Sequence, residues 1–379
     1  MIYLDNAATT GLKPQSVILA TVNALKNYSA NPGRSGHELS IKTAEQIYAC
    51  RRKIAEFFGA KNLENVIFTQ NCTMSINMVL KGALKQGDHV IVSSLEHNAL
   101  MRPLNLLKRN GYIDYDVAEV FFDDISATYR SFERLINPHT KMIFCAHASN
   151  VTGTVLPIEK LGSLCKQKHI LFAVDAAQTA GVLPINMTDY NIDYLCIAPH
   201  KGLYAPMGTG ILICNGPINN TIVEGGTGTD SNNMLQPDIM PEKFESGTLN
   251  VPGIFGISAG IDFVRQKGIE NIYLHEMRLI QYLYERLSEI KGVQLYVPYP
   301  ANYFFAPVLS FNIQGLSSDY VAQNLNKMNI ATRAGLHCAP SAHKRIGTSN
   351  TGAVRISTAY FNTKQDINAL IKAIMLIKK

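Results

Sequence analysis

Short apolar runs alternate with amphipathic stretches between residues 65 and 213. The runs predict strands at residues 65–69, 89–93, 170–174 and 194–198, with another in the segment MIFCAHA that precedes Asn150. Between the first two strands, Ile76, Val79, Leu80 and Ala83 recur at the spacing of one helix face. Strands that alternate with helices form parallel sheets with right-handed crossovers, so the pattern predicts an α/β domain whose mostly parallel sheet is covered on both faces.

The flanking segments have longer helical patterns. Helices are predicted at residues 15–28 and 41–58, the second capped by Ser40 and closed by Gly59. After residue 252 come helices at 254–266 and 271–290, strands at 293–297 and 308–313, and a last helix from Thr363. We therefore predict a large domain at residues 15–252, a smaller α+β domain at 253–379, and an amino-terminal segment, residues 1–14, that packs with the smaller domain.

Composition and charge exclude several classes of protein. With 379 residues, 46% hydrophobic and 17% charged, the chain resembles a soluble globular enzyme. No stretch is long enough to span a membrane, and no signal sequence starts the chain, so we expect a cytoplasmic protein without a membrane partner. The net charge of +6 has no basic stripe behind it, and its densest cluster, Arg51, Arg52 and Lys53, is typical of a solvated helix face. Nucleic acid binding is not expected.

The seven cysteines have no CxxC pair and no regular spacing. A disulfide framework, a zinc site and any other metal site are therefore not predicted, and most of the thiols are expected to be buried.

Two neighbouring strands deliver charged side chains of opposite sign. Asp175 ends the strand at 170–174, Gln178 follows three residues later, and His200 and Lys201 follow the strand at 194–198. Taken singly, Asp175 is more often a helix cap and Lys201 a surface residue. Together they match pyridoxal 5'-phosphate (PLP), because a lysine amine bonds the cofactor aldehyde and a carboxylate pairs with the pyridinium nitrogen. Gln178 would donate to the ring hydroxyl oxygen.

Two further positions follow the ends of predicted strands. The turn at residues 70–73 leads into a helix, and the free amides of a helix start favour phosphate, so Thr73 is a candidate phosphate ligand as well as a candidate cap. His97 lies just past the strand at 89–93, at the edge where open α/β sheets bind ligands. A lone histidine in this position is more often structural.

Five motifs carry a resemblance that covers nearly the whole chain: YLDNAATT from Tyr3, VDAAQ from Val174, HKG from His200, RAGLHCA from Arg333, and YFNT from Tyr360. The sequence resembles the class V aminotransferase group of fold-type I PLP enzymes, and within it the cysteine desulfurase and selenocysteine lyase family. The resemblance implies a sheet of the seven-stranded type, PLP held by Lys201, and a homodimer.

The resemblance also implies roles for residues that composition and spacing do not identify. Ala7 and Ala8 would lie beside the substrate, His97 would stack on the cofactor ring and handle a proton, and Asn150 would lie near cofactor and substrate. Thr248, in FESGTLN, would lend its hydroxyl to the partner's cofactor phosphate. Many relatives have a hydroxyl residue where this chain has Ala198, so one phosphate contact is expected to be missing or replaced.

Cys338 distinguishes between the reactions that PLP supports. Its neighbours Arg333 and His337 are unlike those of a buried structural thiol, and the resemblance makes it the nucleophile. Arg355 would clamp the substrate carboxylate with its guanidinium fork, and Arg333 would lie beside the substrate. The expected reaction converts L-cysteine to L-alanine and leaves a persulfide on Cys338, which passes sulfur to an acceptor protein.

Three alternatives stay open on the sequence. A selenocysteine lyase would use the same residues to release selenium from L-selenocysteine. An aminotransferase of the class V group would share Asp175 and Lys201 but would not need Cys338. A non-catalytic scaffold in a sulfur-transfer assembly would retain the fold, although the intact Lys201, Asp175, Cys338 and Arg355 argue against it.

Overall fold

The computed structural model describes residues 1–33, 35–229 and 231–378. The helices in this part of the chain are α1 Gln15–Asn27, α2 Glu38–Phe58, α3 Cys72–Ala83, α4 Asn98–Arg109, α5 Ile125–Arg134, α6 Ile158–Lys168, α7 Val251–Lys267, α8 Ile269–Ser288, α9 Ser318–Lys327, α10 Pro340–Arg345 and α11 Lys364–Ile377. The strands are β1 Ile2–Tyr3, β2 Val66–Thr69, β3 Asp88–Ser93, β4 Ile113–Ala118, β5 Thr140–Ala146, β6 Leu171–Asp175, β7 Tyr194–Ile197, β8 Gly210–Cys214, β9 Val293–Leu295, β10 Val308–Ile313, β11 Ile330–Ala331, β12 Arg333–Gly335 and β13 Ala353–Ser357.

A seven-stranded sheet forms the centre of the molecule, in the order β2-β8-β7-β6-β5-β3-β4. The strands from β7 to β4 pair in parallel, and β8 pairs antiparallel with both of its neighbours. Every residue of β7 and β8 is buried, which explains their continuous apolar runs. The α/β fold with a mostly parallel sheet is confirmed, and the four strands of this sheet that were predicted with bounds match to within one residue.

The predicted start of α2 is wrong. The helix begins at Glu38, and His37 is its cap, with Nδ1 accepting a hydrogen bond from the amide of Ser40 at 3.2 Å. Ser40 instead lies buried in the first turn and donates its hydroxyl to the carbonyl of Asn31 at 2.7 Å. A histidine ring nitrogen can replace the usual capping oxygen, and the sequence rule for caps does not consider it. The end of the helix at Gly59, in the left-handed conformation, is as predicted.

Arg51 also departs from its prediction as part of a solvated face. Its guanidinium is buried and forms two parallel bonds of 2.8 Å with the Glu245 carboxylate. Glu245 Oε1 also accepts the amide of Phe68 in β2 at 2.7 Å. A buried pair of this kind is held by its geometry and its additional hydrogen bonds, so it fixes α2 and the segment around residue 245 to the edge strand of the large sheet.

A second, four-stranded antiparallel sheet has the order β12-β13-β10-β9. Its core contains apolar residues of α8, α9 and α11. The amino-terminal strand β1 pairs in parallel with β11, and the Asn6 side chain donates to the carbonyl of Ser357 at 2.9 Å. These contacts support the predicted packing of residues 1–14 with the smaller domain.

Helix α7 packs in the core of the large sheet, where Ile254, Ile257 and Ile261 are buried. The Cβ of an alanine in place of Gly260 would lie 1.9 Å from the carbonyl oxygen of Leu203, so the helix directly contacts the loop that follows Lys201. The division of the chain into domains stays a prediction, and this packing favours a boundary near Gly268 over one at residue 252.

The described residues contain neither a candidate membrane span nor a candidate metal cluster. None of the described helices combines the length and the apolar character needed to cross a membrane. Within the same residues, no group of three or more histidine, cysteine, aspartate or glutamate side chains could hold a metal ion.

Candidate active site

A cavity of about 210 Å³ opens at the carboxyl edge of the large sheet. This is the edge where open α/β sheets bind ligands, because the loops that follow neighbouring parallel strands meet there. Most of the predicted site residues line it: Ala7, Ala8, Thr73, His97, Asn150, Asp175, Gln178, His200, Lys201, Arg333 and Arg355. The two predicted residues that do not line it are Cys338 and Thr248.

Asp175, the last residue of β6, and Lys201, in the loop that follows β7, both line the cavity. The pKa of Lys201 is lowered, because the effect of burial exceeds the opposing effect of the nearby Asp175 carboxylate. A lowered pKa increases the fraction of neutral amine, which is the nucleophilic form. Asp175 Oδ1 accepts the amide of Ala177 at 2.9 Å, so the start of the following turn holds the carboxylate in place.

Cys72 lies beside Asp175 and was missed as a site residue. Its Sγ lies 3.5 Å from Asp175 Oδ1, and burial raises the pKa of the thiol well above its usual range. The thiol therefore keeps its proton and donates a hydrogen bond to the carboxylate. The sequence did contain a signal for Cys72, because it lies one residue before Thr73 in the strand–helix turn that was predicted to bind phosphate.

The start of α3 forms one wall of the cavity. Asn71 is the helix cap, and its side-chain oxygen accepts the amide of Met74 at 2.9 Å. The cap role considered for Thr73 therefore belongs to Asn71, and Thr73 is the second residue of the helix. The first amides of a helix have no carbonyl partner within it, so this wall suits an anionic group.

His97 is the cap of α4 and has a defined proton position. Its Nδ1 accepts the amide of Ala99 at 3.0 Å, so the neutral ring carries its hydrogen on Nε2. Burial lowers the pKa of His97, against an opposing effect of Asp175. A neutral imidazole at the cavity wall can donate from Nε2 or stack on a planar ligand.

Arg355 is fully buried on β13, where Arg333 of β12 is its direct neighbour in register. Its guanidinium contacts Asp5 Oδ1 at 2.6 Å and the carbonyl of Asn150 at 3.1 Å, and its Nε has no partner. Both arginines line the cavity. Two guanidinium groups side by side favour a carboxylate ligand.

The amino-terminal segment holds the peptide bond between His200 and Lys201. The carbonyl of His200 accepts the Thr10 amide at 3.2 Å, the Thr9 hydroxyl at 3.2 Å and the Lys13 ammonium at 2.9 Å. Burial lowers the pKa of Lys13 to about 8. Lys13 was not predicted, and its position in the GLKP segment that follows the threonines gave no chemical signal.

Gln178 and His200 extend this part of the cavity wall. Gln178 Nε2 donates to the carbonyl of Ala7 at 3.1 Å, which orients its amide across the cavity. His200 Nδ1 is buried without a hydrogen-bond partner, and burial lowers the pKa of His200 to about 4. A buried unpartnered ring nitrogen is costly unless a ligand completes it.

Cys338 lies next to the cavity wall, since its neighbour His337 lines the cavity. It is exposed, whereas the other six cysteines are buried. Its Sγ lies 3.8 Å from a guanidinium nitrogen of Arg333, and its carbonyl accepts the amide of Asn98 at 2.7 Å. The thiol is therefore accessible and beside a cation.

Thr248 does not line the Lys201 cavity. It is exposed and lines a separate cavity of about 130 Å³, and its hydroxyl accepts a hydrogen bond from the Asn31 side chain at 3.3 Å. Its role toward the cofactor of a partner subunit stays a prediction.

The family model described as Aminotransferase class-V matches residues 2–370. A probable cysteine desulfurase of Methanothermobacter thermautotrophicus is 33% identical, over 97% of this chain and 92% of the relative. Another, of a Synechocystis species, is 30% identical over 99% of this chain and 90% of its own length.

Solved structures give the same result. An apo cysteine desulfurase from Thermococcus onnurineus matches with a TM-score of 0.90 and 30% identity, over 100% of this chain and 94% of the other. A cysteine desulfurase from Escherichia coli matches with a TM-score of 0.85 and 26% identity, over 99% of this chain and 94% of the other.

Two buried glutamates give the fold a pH dependence. Burial raises the pKa of Glu96, which precedes His97, to about 8, and that of Glu276, in a small cavity behind Lys201, also to about 8. In the unfolded chain a glutamate releases its proton near pH 4.3, at about the model-peptide value. Between these pH values the folded state binds more protons, so the free energy of unfolding falls as pH rises to about 8 and is then level.

We expect Glu96→Gln and Glu276→Gln each to reduce the slope at which the free energy of unfolding decreases with pH, by roughly 1 kcal/mol per pH unit, because glutamine cannot titrate. Chemical denaturation from pH 5 to pH 9 measures it, and the double variant should lose both contributions. If the free energy of unfolding changed with pH in the same way in the wild type and in all three variants, the raised pKa values of the two glutamates would be contradicted.

Proposed function

The chain belongs to the class-V aminotransferase family of PLP-dependent enzymes, and we propose that it desulfurates L-cysteine, giving L-alanine and a persulfide on Cys338. The observation that carries this proposal is the exposed Cys338 thiol, which lies beside Arg333 at the edge of the Lys201 cavity. An enzyme that only transfers amino groups has no use for a nucleophilic thiol at this position.

The residues of the cavity fit PLP. Lys201 offers an amine for the aldehyde, Asp175 a carboxylate for the pyridinium nitrogen, and the helix start at Thr73 offers amides and a hydroxyl for the phosphate. His200 Nδ1, buried without a partner, is a polar group that a bound ligand would complete. His97 and Gln178 would contact the ring, and Asn150 would lie near cofactor and substrate. When bound, PLP supplies the electron sink for a carbanion at the substrate α-carbon.

The substrate would be oriented by its carboxylate. Arg355 is preorganised for this because Asp5 and the carbonyl of Asn150 hold its guanidinium, and Arg333 adds a second positive charge. Ala7 and Ala8 leave room beside the substrate. With the carboxylate fixed, the amine of Lys201 is the base that removes the α-proton, and burial favours its neutral form.

The sulfur step then belongs to Cys338. Its thiolate, paired with Arg333, attacks the substrate sulfur, so that a sulfur–sulfur bond forms and the carbon–sulfur bond breaks with its electron pair remaining on carbon. Protonation of that carbon gives alanine. Alanine and the persulfide together contain all the atoms of cysteine and the enzyme thiol. The exposure of Cys338 suits transfer of the terminal sulfur to an acceptor protein.

The other parts of the expectation remain predictions. No structural feature favours selenocysteine over cysteine, so a selenocysteine lyase is left as an outcome of the assays below. The cytoplasmic location and the transfer of sulfur to an acceptor protein also stay predictions.

Lys201→Ala tests the cofactor assignment. Borohydride reduction of the wild-type holoenzyme should fix PLP to a peptide that contains Lys201, because this is the amine that faces Asp175 across the cavity. The variant should lose this label, while Lys160→Ala, on the exposed face of α6, should keep it. Mass spectrometry of the digested protein measures the label, and an unchanged label on another lysine would contradict the assignment.

Cys338→Ala tests the reaction. We expect alanine formation from cysteine to fall by roughly 10³-fold or more, because the nucleophile is lost while the visible absorbance of bound PLP is retained. Cys338→Ser should behave in the same way, and Cys165→Ala, at a buried thiol in α6, should keep turnover. Full turnover by Cys338→Ala would instead support an aminotransferase or a direct elimination, and preferred cleavage of selenocysteine by the wild type would support the lyase.

Thr248→Ala tests the shared site of a homodimer. If Thr248 contacts the cofactor phosphate of the partner, the variant should release PLP faster during gel filtration, and Thr248→Ser should restore retention because it keeps the hydroxyl. Sedimentation should give twice the mass of one chain. A fully active monomer would rule out the shared site.

A further inference from the structure

Three buried side chains lie behind the turn that carries Cys338. His337 Nδ1 lies 3.1 Å from His343 Nε2, and His343 Nδ1 lies 2.7 Å from the Thr348 hydroxyl. At the other end, His337 Nε2 lies 3.3 Å from the carbonyl oxygen of Arg333. We call this series, from Thr348 through His343 and His337 to the Arg333 carbonyl, the histidine chain. All three side chains are at most 3% exposed, so water does not compete for their hydrogen bonds.

The chemistry of its ends fixes the direction of every hydrogen bond in the histidine chain. A carbonyl oxygen only accepts, so His337 carries a hydrogen on Nε2 and, when neutral, accepts at Nδ1. His343 must then donate from Nε2 and accept at Nδ1, and Thr348 must donate its hydroxyl. Burial lowers the pKa of His337 to about 3 and that of His343 to about 4, so both rings are neutral at neutral pH.

The turn itself requires such support. His337 and Cys338 are consecutive residues with positive φ angles, 51° and 56°, a backbone conformation that residues other than glycine seldom adopt. The side-chain amide of Asn150 donates to the carbonyl of His337 at 2.8 Å. The backbone amide of Asn98 donates to the carbonyl of Cys338 at 2.7 Å. The histidine chain holds the same turn through the ring of His337, which it bonds at both nitrogens.

We propose that His343 and Thr348 are positioning residues for the nucleophile, which act through His337 to hold Cys338 in its left-handed turn beside Arg333. This inference rests on the proposed role of Cys338 and adds two residues that contact neither the cavity nor the thiol. The carbonyl and the guanidinium of Arg333 are both engaged by this turn, the first by His337 and the second by Cys338. The histidine chain thereby couples the position of the thiol to that of the guanidinium that lies 3.8 Å from it.

Thr348→Val is the sharpest test, because it keeps the shape of the side chain and removes the one hydrogen that His343 Nδ1 accepts. The readout is the rate at which iodoacetamide alkylates Cys338 in the resting holoenzyme, followed by mass spectrometry of the Cys338 peptide. We expect the rate to fall roughly three- to tenfold, the effect of one lost hydrogen bond, because the thiol is no longer held beside Arg333. In turnover, kcat should fall by a similar factor and KM for cysteine should stay the same, since Arg355 is untouched.

Two controls separate positioning from general stability. Thr348→Ser retains the hydroxyl and should restore the wild-type alkylation rate. Thr43→Val makes the same change at a buried threonine of α2 whose hydroxyl donates to the carbonyl of Leu39 at 2.8 Å, far along the chain from the turn, and should not alter the rate. A merely structural role of Thr348 would lower the melting temperature without slowing alkylation of the folded protein.

A second pair of variants tests the middle of the histidine chain, and serves also if Thr348→Val does not fold. In His343→Gln the side-chain amide can still donate to His337 Nδ1, so alkylation should stay within about twofold of the wild type. His343→Met has a similar volume but no donor, and should slow it as Thr348→Val does. An unchanged or faster rate in Thr348→Val and His343→Met would overturn the proposal. Because alkylation needs no turnover, it reports on the turn even if Cys338 proves not to be the nucleophile.

Discussion

The ion pair between Arg355 and Asp5 is the interaction on which the arrangement of the site depends. The Arg355 side chain is buried and that of Asp5 is 20% exposed, and the pair joins the amino-terminal segment to the smaller sheet at the point where both meet the cavity. From this anchor the segment continues to the carbonyl of His200, which it holds through Thr9, Thr10 and Lys13. One short segment therefore positions the proposed carboxylate ligand and the proposed cofactor lysine relative to each other. A buried ion pair adds little net stability, but breaking it leaves an uncompensated charge, so it specifies geometry.

Burial gives the site its electrostatic character. The histidines that line the cavity, His97, His200 and His337, all have pKa values lowered by burial. The fixed charges are therefore those of Asp175 and of the two arginines, with Lys201 shifted toward its neutral form. A site of this kind can bind an amino acid by its carboxylate while its bases remain unprotonated, which an exposed cluster of the same residues would not achieve.

The sequence predicted those features that depend on residues close to one another in the chain. Asp175 and Lys201 were predicted as a pair because each lies at or shortly after the end of a buried strand, and the strand ends of a parallel sheet meet at one edge. Capping was predicted less well: a rule based on oxygen acceptors chose Ser40, whereas the ring nitrogen of His37 forms the cap. Cys72 was counted only among the buried thiols, because its contact with Asp175 joins residues 103 positions apart. The family resemblance, and not spacing, assigned roles to Ala7, Asn150 and Thr248, and those roles stay predictions.

The bond between Arg355 and Asp5 also has a consequence for biosynthesis, because its two residues are separated by 350 positions. Loop-closure entropy opposes such a contact until the intervening sheet has folded. During synthesis, residues 1–14 are made before β11, which pairs with β1, and before β13, whose Ser357 bridges to Asp5. The large sheet can form while the chain is still growing. The amino-terminal segment has no partner strand until β11 and β13 have been made, so the cavity closes after the large sheet has formed, and a chain that stops before β13 lacks Arg355.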